Sequence, residues 1–290
     1  PNLKKFKITS KKPLPVDDFI EKILYEPEIG YYSSKDPFGK NGDFITSPTI
    51  SNLFSEMIGI WLVYTWENLG RPKNFNVVEL GPGDGVLTSV LLRSFKKFPQ
   101  FNSIKKMFLF EESRLLKKIQ KRKINNKDAK WISNFNEIKK GPVVFFGNEF
   151  FDAIPVKQFK KFKNSMFEKN YTIGENNKIK QVYKKASASN VKDIKSYKIL
   201  KKLKFIEYPK LGFQELRKIT KKISKLNGCI LLIDYGYSKP NNQNTLQSVM
   251  RHKKNKLFNN LGRADITAHV NFALLNEFFL KNNLKTKNLI

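Results

Sequence analysis

The sequence predicts an α/β protein built on a parallel sheet, and two observations carry that prediction. Four short apolar runs alternate along the chain with longer segments of helical apolar spacing, which is the order of βαβ units. Each run is apolar throughout, as strands are when helices cover both faces of a sheet. The predicted strands are 77–80, 107–110, 142–146 and 230–233.

Helical segments separate these strands, and a helical part precedes them. Apolar residues recur in these segments at three- and four-residue intervals, which places them on one helix face. We expect residues 1–75 to form a helical and loop segment that packs on a core domain at 76–290. The predicted helices are 14–30, 49–69, 86–98, 113–123, 211–226 and 272–282.

One part of the chain departs from the alternation. Residues 156–227 are predicted to be a partly β insertion in the core domain, because hairpin-like pieces flank the polar turn at 174–177. Residues 236–268 are predicted to be mostly loop, and 285–290 to start a last strand.

Composition indicates a globular chain and removes several functional classes. The chain is 40% hydrophobic and 13% aromatic, and no apolar run is long enough for a membrane span. The single cysteine, Cys229, excludes an internal disulfide framework and a Cys-ligated zinc site, and it is compatible with a reducing compartment. His252 and His269 lack metal-ligand spacing, so no metal site is assigned.

The net charge of +30 raises the question of nucleic-acid binding. The excess is almost all lysine and is scattered along the chain, whereas base readout favours arginine and clustered patches. A chain rich in Lys, Asn, Ile and Phe is typical of an AT-rich genome. We therefore expect non-specific attraction to anionic surfaces and no specific nucleic-acid partner.

All four predicted strands end in polar residues. They are Glu79 with a glycine loop, Glu111, Asn148-Glu149 and Asp234. Ligands of an open parallel sheet bind beyond the carboxyl ends of its strands. Four such strand ends on one edge predict a pocket.

The glycine loop of Gly81, Gly83 and Gly85 joins a predicted strand to a predicted helix. Glycines let the backbone approach a ligand, and the helix N-terminus can hold a carboxylate. The spacing Gly-x-Gly-x-Gly differs from that of dinucleotide sites and suits a ligand with an amino-acid end, although a plain tight turn is the alternative. Glu111 is predicted to accept both hydrogen bonds of a ribose diol, with a solvated strand-end carboxylate as the alternative.

The segment after the third strand combines a carboxylate, an amide and aromatic rings, which suits a cationic or amine substrate. Glu149 is predicted to pair with a guanidinium and orient one of its nitrogens, with Asn148 positioning it. Phe150 or Phe151 would wall the site. The alternative is that Glu149 and Asp152 cap the next helix.

Several motifs occur in an order that resembles the MidA-like methyltransferases, a family that includes a mitochondrial protein-arginine methyltransferase of complex I assembly. The resemblance runs from about residue 16 to the end and is weakest at 160–227. Its carriers are Gly30-Tyr31-Tyr32, Phe38-Gly39, residues 42–48, Glu79-Leu80-Gly81-Pro82-Gly83, Glu111 with Ser113 and Gln120, residues 148–156, residues 233–236, Thr245-Leu246-Gln247 with Arg251-His252, and residues 264–270.

The resemblance implies the Rossmann-like class I methyltransferase fold, S-adenosylmethionine as cofactor, and methylation of an arginine on a respiratory complex I subunit during assembly. It places residues 46–48 near the cofactor. The site residues that follow are Glu149, Asn148 and Asp152 for catalysis; Phe150, Phe151, Tyr235 and His269 for the substrate; and Glu79, Gly81, Gly83, Gly85, Glu111, Thr46, Ser47 and Pro48 for the cofactor.

Two departures from the family pattern affect these expectations. Asp84 stands where family members usually carry Arg, which bears on contacts at the methionine end of the cofactor. The sequence also stops at Ile290, where the resemblance implies a final strand and tail; if the protein lacks that region, we expect the sheet to lose an edge hairpin and some of its stability.

Alternative functions stay open at this point. They are a non-catalytic assembly factor that binds S-adenosylmethionine, a nucleic-acid methyltransferase, and a nicotinamide-dependent oxidoreductase. The expected partner is a protein substrate, and the expected compartment is the bacterial cytoplasm, with the mitochondrial matrix as the alternative.

Overall fold

The computed structural model describes residues 3–6, 8–9, 12–35, 37, 51–125, 127–175 and 178–287. The helices are α1 Val16–Tyr25, α2 Tyr31–Ser34, α3 Asn52–Asn68, α4 Val86–Phe95, α5 Pro99–Ile104, α6 Arg114–Lys123, α7 Ala188–Lys195, α8 Lys210–Leu226 and α9 Phe272–Lys281. The strands are β1 Leu14–Pro15, β2 Phe75–Leu80, β3 Lys105–Phe110, β4 Lys130–Ile132, β5 Val143–Asn148, β6 Lys157–Phe162, β7 Ser165–Ile173, β8 Ile179–Lys185, β9 Phe205–Tyr208, β10 Gly228–Ile233, β11 Gly236–Tyr237, β12 Gln247–Met250, β13 Lys253–Asn255, β14 Asp265–Thr267 and β15 Val270–Asn271.

The chain divides into two compact units, each described below by itself. One comprises Lys35–Phe150 and Lys218–Ile233, and we call it the parallel-sheet unit. The other comprises Pro1–Ser34, Phe151–Arg217 and Asp234–Ile290, and we call it the antiparallel unit. This division follows contacts between residues and does not test the expected boundary at residue 75, which stays a prediction.

The parallel-sheet unit contains a five-stranded sheet in the order β10-β5-β2-β3-β4, and every neighbouring pair is parallel. All six residues of the central strand β2 are buried, because helices cover both faces. This confirms the α/β fold that the apolar runs predict. From β2 the chain first adds β3 and β4 on one side and then returns to add β5 and β10 on the other. The point where the strand order changes direction is where open α/β sheets bind ligands.

The core of this unit packs aromatic rings between the sheet and its helices. The Phe101 ring meets the rings of Trp66, Phe75 and Phe95 edge-to-face, with centroids 5.0–5.7 Å apart. Helix α3 begins at its cap Ser51, whose hydroxyl accepts a hydrogen bond from the backbone N–H two residues on. The buried face of α3 packs on α4 and holds that helix behind the glycine loop.

The antiparallel unit contains a sheet in the order β1-β7-β6-β9, with β8 also paired to β7. Strands β6 to β9 fall within 156–227, which confirms the partly β insertion. The expectation of mostly loop at 236–268 is confirmed, although four short strands that the sequence does not predict, β11 to β14, also lie there. These strands are two to four residues long, too short to show a period of their own, and they form through pairing with each other and with β15.

One short strand was not predicted, and one predicted terminal strand was not found among the described residues. Strand β4 was missed because three residues with one buried side chain show no recognisable alternation. Residues 285–287 form no strand, and the rest of that predicted strand, 288–290, lies outside the described residues. Across the described ranges, the structure has no helix that combines the length and the apolar character needed to cross a bilayer.

Candidate active site

The register of the parallel sheet brings three predicted site segments to one edge. Leu80 pairs with Phe110, so the next residues, Gly81 and Glu111, leave the sheet side by side. On the other flank Glu79 pairs with Phe146, which puts Asn148 level with Gly81. The glycine loop, the β3 end and the β5 end therefore form one continuous edge, as the strand-end argument predicts.

The glycine loop needs its glycines for conformation and for space. Gly81, Gly83 and Gly85 have φ angles of 61°, 55° and 82°, in the left-handed region that other residues rarely adopt. A Cβ on Gly81 would come within 2.8 Å of the Phe150 ring. Phe150, predicted to wall the substrate site, thus packs directly on the loop predicted to hold the cofactor.

Asp84 has a definite place between these glycines. Its Oδ1 accepts a hydrogen bond from the backbone N–H of Val86 at 3.1 Å, at the start of α4, where a negative charge is favourable. Its Oδ2 forms an ion pair with Lys123 at 2.7 Å. Asp84, which the sequence analysis singled out as a departure from the family pattern, is therefore stabilised by local contacts.

Glu111 lies in a hydrogen-bonded frame and is 9% exposed. Its Oε1 accepts from the backbone N–H of Ser113 at 2.9 Å, and its Oε2 accepts from the Gln120 amide at 3.1 Å. The same amide donates to the Gly83 carbonyl at 2.8 Å, and the Gln120 carbonyl accepts from the Trp131 indole at 2.8 Å. Gln120 therefore ties the glycine loop to the β3 end. Burial raises the pKa of Glu111 to about 7, against the lowering effect of these hydrogen bonds.

Gln120 joins two parts of the candidate site, and our site assignment did not include it. It is fully buried on α6, four residues after the buried Leu116, so it occupies the apolar face of that helix. A polar side chain on the buried face of a helix needs a hydrogen-bonding partner inside the protein, and this was the available signal.

Glu79 is 2% exposed and accepts a short hydrogen bond from the Thr88 hydroxyl on α4. The pKa of Glu79 is raised to about 8, chiefly by burial; the Thr88 hydrogen bond lowers it in part, and the nearby carboxylates of Asp84 and Glu111 contribute to the rise. The carboxyl thus links the end of β2 to the helix beyond the glycine loop. Its predicted contact with the cofactor stays a prediction.

Glu149 sits on a strained turn immediately after β5. Its φ is 48°, an unfavourable value for a residue with a side chain, and its backbone N–H donates to the Ile233 carbonyl at 2.8 Å, which holds the turn on β10. Among the described residues its carboxylate has one side-chain contact, at 3.5 Å from the Asn148 amide. Burial raises the pKa of Glu149, and the Asn148 amide lowers it in part.

The alternative in which Glu149 and Asp152 cap a helix does not hold, because the segment between β5 and β6 contains no helix. The turn in the antiparallel unit is instead held by Asp234. Its Oδ2 accepts from the backbone N–H groups of Phe151 and Asp152 at 2.8 and 3.1 Å, and its Oδ1 from that of Tyr235 at 2.9 Å. Asp234, one of the four acidic strand ends, is thus a structural anchor.

The other predicted substrate residues form a cluster within the antiparallel unit. The Tyr235 hydroxyl lies 3.0 Å from the Thr267 hydroxyl and 3.4 Å from the Gln247 amide, and the His269 ring lies edge-on to Tyr235 at 5.5 Å. Burial raises the pKa of Tyr235, and the hydrogen-bonded Asp152 carboxylate raises it further. The cluster brings together Asp152, Tyr235 and His269, and their roles stay predictions.

Phe151 and the residues expected near the cofactor complete the set. Phe151 is buried in the antiparallel unit, where it lines a small cavity with Phe213, Glu207 and His269.

Thr46, Ser47 and Pro48 lie outside the described residues. In the part of the chain that the structure describes, no group of three His, Cys, Asp or Glu side chains is arranged to hold a metal ion.

A parallel sheet with a glycine loop after its central strand and a framed carboxylate after the next strand defines an enzyme of the Rossmann-like nucleoside-binding class. The chain belongs to the family of S-adenosyl-L-methionine-dependent methyltransferases, whose family model matches residues 57–290. The cofactor that defines the family is S-adenosylmethionine, and the fold is the class I methyltransferase fold that the sequence motifs imply.

The chain is similar to curated proteins that are named protein arginine methyltransferases. The chain is 30% identical over 295 residues to the protein arginine methyltransferase NDUFAF7 of Xenopus tropicalis, a mitochondrial protein, with 92% of this chain and 67% of the relative aligned. It is 29% identical over 297 residues to the mitochondrial Drosophila melanogaster homologue, with 93% and 67% aligned. The chain thus spans about two thirds of the length of these relatives.

A solved structure supports the fold. The crystal structure of a Burkholderia thailandensis protein bound to S-adenosyl-homocysteine superposes with a TM-score of 0.78 at 22% identity. The superposition covers 97% of this chain and 74% of that one. At this identity the likeness establishes the shared fold alone.

Proposed function

We propose that this chain is the S-adenosylmethionine-dependent core of a protein-arginine N-methyltransferase, acting on a respiratory complex I subunit during assembly. The observation that carries the proposal is Glu149, a partly buried carboxylate with one weak side-chain contact, held by a strained turn beside the glycine loop. The names of the curated relatives support arginine as the acceptor.

The residues of the β2 and β3 ends fit the proposed cofactor. Gly81, Gly83 and Gly85 keep the loop free of side chains, so its backbone can approach a ligand. Glu111 already has its orientation set by Ser113 and retains unused lone pairs, so it can accept hydrogen bonds from a ribose diol. We place residues 46–48 near the same ligand on the family resemblance alone.

The carboxylate of Glu149 has three tasks in this proposal. It pairs with the positively charged guanidinium, it fixes one nitrogen toward the cofactor, and it offsets the charge that builds up as a methyl group arrives. The cofactor supplies that methyl group as an electrophile. Asn148 is the side chain placed to position the carboxylate, since its amide lies 3.5 Å from Oε1.

Incubation with methyl-labelled cofactor and individual complex I subunits tests the proposal. We expect label on one subunit, located on arginine by mass spectrometry, and label lost in the Glu149→Ala variant. Glu112→Ala is the matched control, because Glu112 is an exposed glutamate one residue after Glu111. Equal label with wild type and Glu149→Ala would exclude the catalytic role.

The same experiment separates the two other functions considered for this fold. An assembly factor without catalysis would bind its client equally well with and without Glu149→Ala, and transfer no label. A nucleic-acid methyltransferase would label an oligonucleotide, with a preferred sequence and steep salt dependence. For the compartment we propose the bacterial cytoplasm or the mitochondrial matrix, both of which suit a chain with one cysteine.

A further inference from the structure

Helix α3 is apolar on two faces, and only one of them is covered. Its inner face packs into the core of the parallel-sheet unit through residues such as Ile58, Leu62 and Trp66. Its other face exposes four large apolar side chains, each 52–65% accessible. They are Leu53, Met57, Ile60 and Tyr64, which we call the α3 outer face.

This concentration is unusual within the protein. In the described ranges, every other element carries at most one exposed large apolar side chain. A helix that is apolar all around its circumference is normally buried. Contiguous exposed apolar surface on a folded protein marks an interaction site, whereas single exposed residues need no explanation.

The charge pattern identifies the kind of partner. Lys and Arg number 55 in the chain, against 25 Asp and Glu, yet residues 41–70 contain neither Lys nor Arg. This is the longest such run in the sequence, and its charged residues are Asp43, Glu56 and Glu67. Lysines around a docking site would attract an acidic partner and repel a strongly basic one. Because this stretch contains no lysine or arginine, it favours a basic partner.

The spacing of the α3 outer face identifies the partner more closely. The four residues are separated by four, three and four positions, a pattern that reads the same in both directions. A two-fold axis midway along the stripe would place Leu53 against Tyr64 of a second copy, and Met57 against Ile60. A two-fold interface requires this self-complementarity, and the 3-4 spacing is that of an antiparallel helix pair.

We propose that two copies of this chain associate through their α3 outer faces, packed antiparallel about that axis. The partner then has the same charge of +30, and the basic-free helix is the surface on which two such chains approach with the least repulsion. Association buries the four side chains that the isolated chain leaves in water.

Sedimentation velocity on the full chain measures the association. We expect a concentration-dependent dimer that strengthens as salt is raised, since salt screens the repulsion between two basic chains. Met57→Lys places a charge at the centre of the interface and should raise the dimer dissociation constant roughly a hundredfold. Leu280→Lys is the matched control, because Leu280 is 54% exposed on α9, and it should leave the constant unchanged.

Mixing two variants tests the antiparallel geometry. Ile60→Glu alone should weaken the dimer as Met57→Lys does. Combined in equal amounts, the two variants should form a mixed dimer, because the new lysine of one chain then faces the new glutamate of the other. A parallel pair would not bring these positions together.

Three results would overturn the proposal. The first is a wild-type chain that remains monomeric at all concentrations, which would leave the α3 outer face to a different occupant. The second is equal dimer strength in Met57→Lys and Leu280→Lys. The third is failure of the mixed variants to associate, which would exclude the antiparallel arrangement. Binding of S-adenosyl-homocysteine by each variant serves as the check of folding, independently of the proposed enzyme activity.

Discussion

The ends of strands β3 and β5 lie on the same edge of one sheet and both carry a glutamate, yet the surroundings of the two carboxylates are opposite. Glu111 accepts one hydrogen bond on each oxygen, from Ser113 and Gln120. Glu149 has a single 3.5 Å contact among the described residues and a φ of 48°. A carboxylate whose orientation is fixed by hydrogen bonds is suited to accept hydrogen bonds from a neutral ligand. A carboxylate with few hydrogen bonds is stabilised most by pairing with a cation.

The largest expected effect sharpens this contrast at Glu149. Glu149→Gln keeps the shape of the side chain and removes its charge, so methyl transfer should fall about 10²- to 10³-fold. The affinity for S-adenosyl-homocysteine should change less than about threefold, because the contact with the cofactor lies elsewhere. Transfer rates at saturating cofactor and calorimetric titrations measure the two quantities. A parallel loss of both would show that Glu149 supports the fold, not the substrate.

The next effect is the reverse pattern at Glu111. Glu111→Gln exchanges a charged acceptor for a neutral amide, so S-adenosyl-homocysteine should bind about 10- to 100-fold more weakly. The transfer rate at saturating cofactor should stay within a few-fold of the wild type. Glu112→Gln, one residue on and exposed, is the control in the same titrations. Unchanged affinity in Glu111→Gln would contradict the proposed ribose contact.

A smaller effect tests whether the frame around Glu111 matters. Gln120→Leu leaves the Gly83 carbonyl and the Trp131 indole without their partner and should cost about 1–3 kcal/mol of unfolding free energy. S-adenosyl-homocysteine affinity should fall up to about tenfold, since the glycine loop and Glu111 lose their link. Trp131→Phe removes only one of the three hydrogen bonds, so its effects in denaturant melts and titrations should be smaller. Equal affinity in both variants and the wild type would remove Gln120 from the site.

The smallest effect is a pH dependence of cofactor binding. Burial raises the pKa of Glu111 to about 7, so the carboxyl is mostly protonated at pH 6 and mostly ionised at pH 8. The ionised form is the better acceptor for two hydroxyl groups, so S-adenosyl-homocysteine should bind a few-fold more tightly as pH rises through 7. The same titration of Glu111→Gln should lack this increase. An affinity that is flat over this range in the wild type would rule out a titrating Glu111.

The buried sheet was predictable from the sequence, and the antiparallel unit was only partly so. Strands β2 and β5 are buried along almost their whole length, β3 in its second half and β10 only partly, and each contains an apolar run of three or more residues or a run broken by a single polar one. Strands such as β8 and β13 are half exposed or fully exposed and rich in lysine, so their pattern does not differ from that of a loop. Their pairing depends on neighbours in the chain fold, which a local window does not contain.

The site follows the same division. The sequence placed Glu111, Asn148 and Glu149 at strand ends, because strand ends are local features. It did not assign Gln120 a role, because the Gly83 carbonyl that it binds is 37 residues away. It also grouped Asp234 with the ligand-binding edge, whereas that carboxylate is occupied by three backbone N–H groups.

The order of residues alone sets which side chains stand at the carboxyl ends of the strands and where the backbone must be free of a Cβ, since both depend on neighbours a few positions away. Folding decides which of the acidic groups are satisfied and which are left available. Asp234 takes two of its hydrogen bonds from residues more than eighty positions away, and the side-chain partner of Glu111 lies on the following helix. Only the packed structure therefore distinguishes the anchoring Asp234 and the framed Glu111 from the under-bonded Glu149.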